Sequence, residues 1–335
     1  VEPQSSGIGG GAFLLHHDGR KLQAFDGRET APAAVGEKLF LNAQDEPLPF
    51  ATAVSSGRAV GVPGAVMMLA LAHRQHGKLS WARLFDPAIQ LAEEGFPISP
   101  RLHTLLAADV ALKSDPVAAA YFYRTDGQPH PVGHVLRNPE LAQVLRNIAA
   151  AGPSALHEGP VARAIVNKVR QHPALPGALT LEDLKRYQPR EREALCFDHT
   201  AALRALRICG FPPPSSGALA VGQILGLLAR TPQATAPLAQ GLPSPDWLHS
   251  YAEASRLAFA DRAQYVADPD FVAPPAGRWG SLLDTRYLDE RARLIGPARR
   301  PDAPAGQPGG VQSSWASMPE QPEYGTSHIS IVDAF

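Results

Sequence analysis

The order of apolar and polar positions near the start of the chain predicts a β-hairpin. "AFLLHH" and "LQAFDGRE", at residues 12–17 and 22–29, are short apolar runs. The turn sequence "DGRK" lies between them, and its Asp18-Gly19 pair favours a tight connection. We therefore expect strand, turn and strand in this part of the chain.

The middle of the chain has the apolar spacing and the end signals of helices. Predicted helices begin at or near proline, as in "SPRLHTLLAADVAL", "PELAQVLRNIAAAG" and "GPVARAIVNKVRQH". In "SWARLFDPAIQLAEEG" we predict that Ser80 is the N-cap and that Gly95 ends the helix. Thr180 followed by Asp183 is an acidic variant of the capping box.

Near residue 335, Ile329, Ile331 and Val332 indicate the start of a buried strand. Predicted strands thus lie towards both ends, with helices between them, which favours a mixed α/β or α+β fold. Residues 296–324 contain six prolines after Gly296, and this composition predicts an exposed, poorly ordered connector.

Composition and charge narrow the classes of function. The 335 residues are 44% hydrophobic and 19% charged, which is ample for a folded core. The formal net charge is -1 and no Lys/Arg block is present, so we expect neither a nucleic-acid nor a membrane partner. The sequence contains no run of 18 apolar residues, so we predict no transmembrane helix.

The two cysteines leave two interpretations open. Cys196 and Cys209 flank "FDHTAALRALRI", which could be two short strands and a connection. A disulfide across such a hairpin is possible in an oxidising compartment, and two buried free thiols are the alternative.

Three motifs suggest chemistry that their contexts disfavour. "GIGGGA", residues 7–12, matches a dinucleotide-binding pattern, but a loop-like segment precedes it and an apolar strand follows it. We therefore favour a glycine loop that lets other backbone or a ligand come close. The pairs His16-His17 and His73/His76 lack a metal-binding motif, so we expect no metal and no cofactor. Ser215 and Ser216 in "PPPSSGA" are nucleophile candidates, although a helix N-cap is the favoured role.

The Gly325-Thr326 junction is the remaining candidate. A Thr hydroxyl becomes a useful nucleophile when its own α-amine is free to accept the hydroxyl proton. Making that amine requires cleavage of the bond before Thr326, and Gly325 would allow the unusual backbone geometry of such an attack. A Thr that simply opens a strand is the alternative.

Taken together, the segments closely resemble the γ-glutamyltranspeptidase (glutathione hydrolase) family. They occur in one order along nearly the whole chain: "GIGGGAFLLHHDG…AFDGRETAPAA", "GVPGAVMMLALAHRQHGKLSWARLFDPAIQLAEEGFPIS", "LTLEDLKRYQPREREAL", "CGFPPPSSGALAVGQIL", "EASRLAFADRAQYVADPDF" and "GTSHISIVD". The resemblance implies an α+β fold, the four-layer αββα sandwich of the N-terminal-nucleophile hydrolases. It further implies one domain over residues 1–335, with 1–325 in the large subunit and 326–335 opening the small subunit.

The resemblance also implies roles for individual residues. Self-cleavage between Gly325 and Thr326 would make Thr326 the catalytic nucleophile, which forms and then transfers a γ-glutamyl ester. Arg28 would hold the substrate α-carboxylate, a suitable role for a guanidinium. The alternative role for Arg28 is an ion pair with Asp26 or Glu29. Members often carry Thr-Thr-His where this chain has Thr326-Ser327-His328.

The implied function is γ-glutamyl transfer and hydrolysis. The partners would be glutathione or another γ-glutamyl compound, an amino acid or peptide acceptor, and the protein's own small subunit. Bacterial members imply a periplasmic or extracellular location. Because the family's other active-site residues lie downstream of such a segment, we expect residues 1–335 alone to be inactive. The alternatives are an amidase or acylase of the same fold and a non-cleaving pseudoenzyme or binding module.

Overall fold

The predicted N-terminal hairpin is present. The computed structural model describes residues 2–201, 204–235, 238–310, 316–318 and 325–333. In the hairpin turn, Asp18 Oδ1 accepts backbone N–H bonds from Arg20 at 2.8 Å and Lys21 at 2.7 Å, while Gly19 adopts φ +88°. These contacts fix a tight turn that needs glycine at its left-handed position.

Short sheets and many helices make up the described chain, which confirms an α+β fold. The first sheet has the order β1-β2-β5, and the pairs β3-β4, β6-β7 and β8-β9 form two-stranded ribbons. The strands are β1 (Ala12–His17), β2 (Leu22–Gly27), β3 (Phe96–Pro97), β4 (Val135–Leu136), β5 (Arg190–Arg192), β6 (Leu195–Ala201), β7 (Arg204–Gly210), β8 (Leu238–Ala239) and β9 (Leu242–Pro243).

The helices lie mainly between the first and last strands. They are α1 (Phe50–Val54), α2 (Ala65–His76), α3 (Asp86–Glu94), α4 (Pro100–Ala108), α5 (Pro116–Phe122), α6 (Pro139–Ala151), α7 (Ser154–His157), α8 (Gly159–Arg170), α9 (Leu181–Arg186), α10 (Gly217–Leu228), α11 (Pro245–Tyr265) and α12 (Thr285–Ala292). None of the described helices is both long and apolar enough to cross a membrane.

Local capping chemistry explains several helix starts. Ser99 accepts the N–H of Leu102 at the start of α4, and Asn138 accepts that of Leu141 at the start of α6. Thr180 and Asp183 form the predicted reciprocal capping box at α9. Each side chain satisfies a backbone donor that has no partner within its helix.

The predicted start of the helix at Ser80 is wrong. Residues Ala82–Phe85 form a 3-10 turn, and α3 begins at Asp86 without a side-chain cap. Pro87 lies in the first turn of α3. Proline has no N–H and its ring clashes with the carbonyl four residues earlier, so one α-helix could not continue through this position. Gly95 does end α3, with φ +91°.

The chain folds as two units, each with cores of its own. Unit 1 comprises Val1–Phe13, Phe25–Arg190 and Glu323–Phe335, and unit 2 comprises Leu14–Ala24 and Glu191–Pro322. In unit 1 a core cluster joins α8 and α9 to the segments around them through Val62, Ala162, Val166, Val169, Leu179, Leu184 and Tyr187. In unit 2 the cores lie around α10, α11 and α12, with Leu219, Leu227, Leu257, Leu282 and Leu288 among their buried residues.

A buried ionic network ties the helices of unit 2 together. Asp261 is 0% exposed and accepts four hydrogen bonds. The donors are the Gln223 amide at 2.7 Å, the Tyr287 hydroxyl at 2.6 Å, the Arg291 guanidinium at 3.0 Å and the Gly306 N–H at 2.8 Å. The carboxylate is thus neutralised and saturated with donors, which is what a buried charge requires.

The same network holds the first part of the predicted connector. Gly306 donates to Asp261, its carbonyl accepts the Tyr265 hydroxyl at 2.5 Å, and the Pro304 carbonyl accepts from Arg291 at 2.8 Å. Composition predicts exposure for residues 296–324, yet Pro308 is buried. Residues 311–315 and 319–324 of this connector lie outside the described residues.

Cys196 and Cys209 lie directly opposite each other in the β6-β7 ribbon and form a disulfide. Their Cα atoms are 4.1 Å apart. Of the two interpretations of these cysteines, the disulfide is therefore the correct one, and the two predicted short strands are present.

The strand expected after Thr326 is not formed. Residues 325–333 have no regular secondary structure, and Ile329, Ile331 and Val332 are exposed. A strand is stable only when its N–H and C=O groups pair with a neighbour. No strand in the described part of the chain pairs with this segment.

Candidate active site

Arg28 lies on a loop whose backbone is fixed from both sides. The loop follows β2, and the Arg28 N–H donates to Asp26 Oδ1 at 2.8 Å. The Arg28 carbonyl accepts the Tyr187 hydroxyl at 2.8 Å. Asp26 and Tyr187 are both buried, whereas the Arg28 side chain is 62% exposed. The loop thus presents a guanidinium to solvent from a rigid backbone.

The side chain of Arg28 has one weak ionic partner. Its Nε lies 3.6 Å from Glu29 Oε2. An exposed pair of this kind contributes at most about 1 kcal/mol to folding. The alternative role expected for Arg28 is thus present as a contact with Glu29, while Asp26 binds the backbone instead. A loose pair leaves the guanidinium free to meet a stronger carboxylate ligand.

Glu29 connects this loop to the glycine-rich segment. Its Oε1 accepts the Gly11 N–H at 2.8 Å. A Cβ on Gly11 would overlap with Glu29 Oε2 and would lie 2.9 Å from the Gly27 carbonyl oxygen. Residues other than glycine cannot fit at such a distance. The segment therefore serves the close backbone approach that we favoured over a dinucleotide site.

The glycine loop also covers the start of α2. The Gly10 carbonyl accepts N–H bonds from Gly64 and Ala65, both at 3.1 Å. A Cβ on Gly64 would overlap with the Tyr187 hydroxyl and with the Gly27 carbonyl. Backbone segments and the Tyr187 ring therefore pack against one another without intervening side chains.

Tyr187 keeps its proton in this setting. Burial and the negative charges of Asp26 and Glu29 raise the pKa of Tyr187 far above that of free tyrosine. The hydroxyl is therefore a permanent donor to the Arg28 carbonyl at any physiological pH.

Thr326 lies in an exposed segment of unit 1 whose neighbours contact the N-terminal loop. Ser327 Oγ is 3.0 Å from Ser6 Oγ. Gly325 adopts φ +128°, and Arg101 Nη2 lies 3.1 Å from the position that a Cβ on Gly325 would take. Among the described contacts, none joins Arg28 to residues 325–327. The two predicted site residues therefore belong to separate contact sets within unit 1.

Comparison with known proteins identifies the family. The profile of the gamma-glutamyltranspeptidase family matches residues 1–335. The chain belongs to the gamma-glutamyltranspeptidase family. It is 34% identical to glutathione hydrolase 2 of Arabidopsis thaliana over 339 residues, covering 100% of this chain and 53% of that protein. The Acylase ACY 1 proenzyme of Pseudomonas sp. (strain V22) is also 34% identical, with coverage of 100% and 56%.

Solved structures of the gamma-glutamyltranspeptidase family share the fold. The gamma-glutamyltranspeptidase of Helicobacter pylori superposes with a TM-score of 0.82 at 29% identity, covering 94% of this chain and 87% of that one. The chain spans about half the length of the curated relatives it matches.

The other candidate residues have structural partners. Ser216 precedes α10 but its side chain caps no N–H; its Oγ accepts the Arg262 guanidinium at 2.9 Å, so the favoured N-cap role is wrong for Ser216. The guanidinium holds the hydroxyl that a cap would require. Ser215 Oγ instead accepts the N–H of Gly217, the first residue of α10, at 3.4 Å. His73 Nε2 lies 2.8 Å from the Leu79 carbonyl, and the His76 ring packs against Phe25.

Metal-ligand clusters are absent from the part of the chain that the structure describes. Within it, no group of three or more His, Cys, Asp or Glu side chains could hold a metal ion.

Sequence reasoning missed Tyr187, Arg101 and the two serines of the N-terminal loop. Tyr187 follows the α9 capping box in "LTLEDLKRYQP", where its residue type and position suggest no partner. Arg101 lies in the predicted helix "SPRLHTLLAADVAL", where an arginine suggests no special role. The signal that could have found Tyr187 is its place inside a segment that carries the family resemblance.

Proposed function

We propose that the complete protein is a γ-glutamyltransferase and glutathione hydrolase. The observation that carries the proposal is the family match over residues 1–335, which includes both Arg28 and the Gly325-Thr326 junction. The likeness to a protein named glutathione hydrolase supports glutathione, or another γ-glutamyl compound, as the donor. Water or an amino acid or peptide amine is the acceptor.

Arg28 is proposed to hold the α-carboxylate of the γ-glutamyl group. Its exposed guanidinium and fixed backbone support this role, because a preorganised fork can bind both oxygens of a carboxylate. Glu29 would release the guanidinium when the substrate carboxylate arrives, since the existing contact is 3.6 Å long.

Thr326 is proposed to create its own catalytic amine. Its Oγ1 attacks the Gly325 carbonyl carbon, the bond from that carbon to the Thr326 nitrogen breaks, and the hydroxyl proton ends on the nitrogen. Water then hydrolyses the resulting ester, which leaves a carboxylate on Gly325 and a free amine and hydroxyl on Thr326. The positive φ of Gly325 supports a backbone geometry at this bond that glycine adopts readily and other residues rarely adopt.

In turnover, Thr326 Oγ1 attacks the γ-carbonyl of the donor, and the freed α-amine accepts the hydroxyl proton. The amine passes that proton to the leaving group and then activates water or the acceptor amine. A free α-amine has a pKa of about 7.7–8.0, so activity should rise with pH as this amine loses its proton.

We propose that the complete protein forms the four-layer αββα sandwich and that residues 1–335 belong to one domain of it. In this arrangement 1–325 belong to the large subunit and 326–335 to the small subunit, which is the partner of this chain. The family resemblance supports a periplasmic or extracellular location.

The test uses the complete gene product. We expect intact mass and N-terminal sequencing to find a new chain start at Thr326, and γ-glutamyl-p-nitroanilide to be hydrolysed. Thr326→Ala should remain one inactive chain, while the matched Thr326→Ser variant, which keeps a hydroxyl, should still cleave. A wild-type protein that stays intact would support the non-cleaving binding module instead.

An amidase or acylase of the same fold is the second candidate, because the chain is also 34% identical to an acylase proenzyme. Parallel assays with glutathione and a glutaryl amide separate the two activities. Preference for the glutaryl amide, whose acyl group keeps the terminal carboxylate but has no α-amine, would reject the γ-glutamyl proposal and would leave a carboxylate for Arg28 to hold.

A further inference from the structure

The N-terminal loop contacts the chain on the carboxyl side of the proposed cleavage site. Ser6 Oγ lies 3.0 Å from Ser327 Oγ, so the two hydroxyls share a hydrogen bond. These residues are separated by 321 positions in sequence. The residue that follows Thr326 is therefore held by a segment near the start of the chain.

Arg101 joins the same loop to the amino side of that site. Its Nη1 donates to Ser5 Oγ at 2.8 Å and contacts the Glu2 carboxylate at 3.3 Å. Its Nη2 lies 3.1 Å from the Cβ position of Gly325. One guanidinium thus binds two residues of the loop and lies beside the residue that supplies the carbonyl of the scissile bond.

Glycine at position 325 suits both the backbone conformation and the neighbouring guanidinium. Its φ of +128° lies in a region that other residues rarely adopt. A Cβ there would also be closer to Arg101 Nη2 than ordinary van der Waals contact. The absence of a side chain on Gly325 allows the guanidinium to approach the backbone itself.

This arrangement matches what self-cleavage requires. When Thr326 Oγ1 bonds to the Gly325 carbonyl carbon, that carbonyl oxygen becomes negatively charged until the bond to the Thr326 nitrogen breaks. A fixed cation beside Gly325 favours this charge. Contacts beside both flanking residues would also restrict the motion of the hydroxyl relative to the carbonyl carbon, which favours the attack.

We propose that Arg101 is a positioning residue for self-cleavage, and that Ser5, Ser6 and Arg101 form a clamp on the residues flanking Thr326. The proposal rests on the proposed function, because it assumes that the chain is cut before Thr326. It adds a set of residues that act on maturation and have no role in binding the γ-glutamyl group.

The exposure of these residues separates a role in maturation from a role in stability. The Arg101 side chain is 53% exposed and that of Glu2 is 38% exposed. Exposed ion pairs contribute little to folding. Removing Arg101 should therefore slow cleavage without lowering the melting temperature appreciably.

The experiment follows cleavage of the newly translated complete gene product by gel electrophoresis over time. We expect Arg101→Ala to slow cleavage by about tenfold or more, the scale of one lost charge-assisted contact in a transition state. Arg101→Lys should restore much of the rate because it keeps the charge, and Ser6→Ala should slow cleavage by about threefold, as expected for a weaker neutral contact. Arg124→Ala is the matched control, since the Arg124 side chain is 50% exposed and likewise forms an ion pair, with Asp126.

Each outcome has a distinct meaning. Wild-type cleavage rates in both Arg101→Ala and Ser6→Ala would overturn the clamp and leave the proposed function intact. A wild-type protein that is never cut before Thr326 would overturn the proposed function and the clamp together. If Arg101→Ala fails to fold, Arg101→Gln, which removes the charge but keeps a long polar side chain, and Ser6→Ala decide, because normal rates in both would also reject the clamp.

Discussion

Two charged side chains of this protein, Asp261 and Arg28, differ in how many hydrogen-bond and ionic partners the fold provides. In unit 2, Asp261 is fully buried and receives four donors, including Arg291 and a backbone N–H of the connector. In unit 1, Arg28 stands on a fixed backbone but its side chain is largely exposed and has only a loose contact with Glu29. A charged group whose hydrogen-bond sites are all filled by the protein stabilises the fold. A charged group on a fixed backbone with few partners can bind a ligand instead.

Asp261→Asn should have the largest effect on stability. The amide keeps the size of the side chain but leaves Arg291 buried without its counter-charge. Losing one partner of a buried ion pair costs about 3–5 kcal/mol in the free energy of unfolding. Urea denaturation of the complete protein measures this loss, with Glu182→Gln, which removes an exposed pair with Arg186, as the control. Equal midpoints for both variants would contradict the structural role of the network.

Arg28→Ala should affect catalysis and leave the stability unchanged. Losing two charge-assisted hydrogen bonds to the substrate carboxylate should lower kcat/KM for a γ-glutamyl donor about a hundredfold, or about 3 kcal/mol. Arg28→Lys should recover only part of that loss because it cannot bind both oxygens in the same plane. Steady-state kinetics of the matured protein test this; an unchanged kcat/KM in Arg28→Ala would remove Arg28 from the site.

Tyr187→Phe should have a moderate effect on both stability and substrate binding. It keeps the packed ring but removes the donor to the Arg28 carbonyl, so we expect about 1–2 kcal/mol of lost stability. The freed loop should also raise KM severalfold while kcat changes less. Tyr265→Phe is a matched control, since Tyr265 likewise donates to a backbone carbonyl, that of Gly306. Equal effects of both variants on KM would show that Tyr187 has no special relation to Arg28.

Thr180→Ala should have the smallest effect, about 1 kcal/mol at neutral pH, because it removes one N-cap. Burial opposes ionisation of Asp183, but hydrogen bonds from Thr180 and the Ala33 N–H outweigh it and lower the pKa of that carboxyl. A lowered pKa stabilises the fold above the unfolded value of about 3.9, and this stabilisation is lost as pH falls through the folded value.

The difference between wild type and Thr180→Ala should therefore shrink as pH falls below about 4. Urea unfolding at a series of pH values checks this trend. A difference that stays constant into acid would mean that Asp183 is not coupled to the cap.

Local signals in the sequence predicted the local parts of the fold. The capping box of Thr180 and Asp183, the turn at Asp18-Gly19 and the helix end at Gly95 each depend on residues within a few positions, and all three are confirmed. The helix start at Ser80 was wrong because Pro87 overrides the cap from seven residues away.

Contacts between distant segments could not be predicted in this way. Tyr187 reaches the Arg28 carbonyl across 159 positions, and Asp261 reaches Gly306 across 45. The pattern around Ile329 and Ile331 predicts a strand correctly only where a partner strand lies beside it, and a local pattern carries no information about partners. The role of Arg28 came from the family resemblance, which also singled out Thr326 among the candidates that the residues suggested, and both roles remain proposals.

The docking of Gly306 fixes how far a newly formed chain end could travel. After a cut before Thr326, about 19 residues would separate that end from the anchor on Asp261, a reach of at most about 65 Å. The Met318 N–H, which donates to the Ala263 carbonyl at 2.8 Å, would shorten this tether to about 7 residues, or about 25 Å, for as long as its single bond lasts. The severed end would thus remain covalently tethered to its own molecule, with a reach limited by the length of the connector.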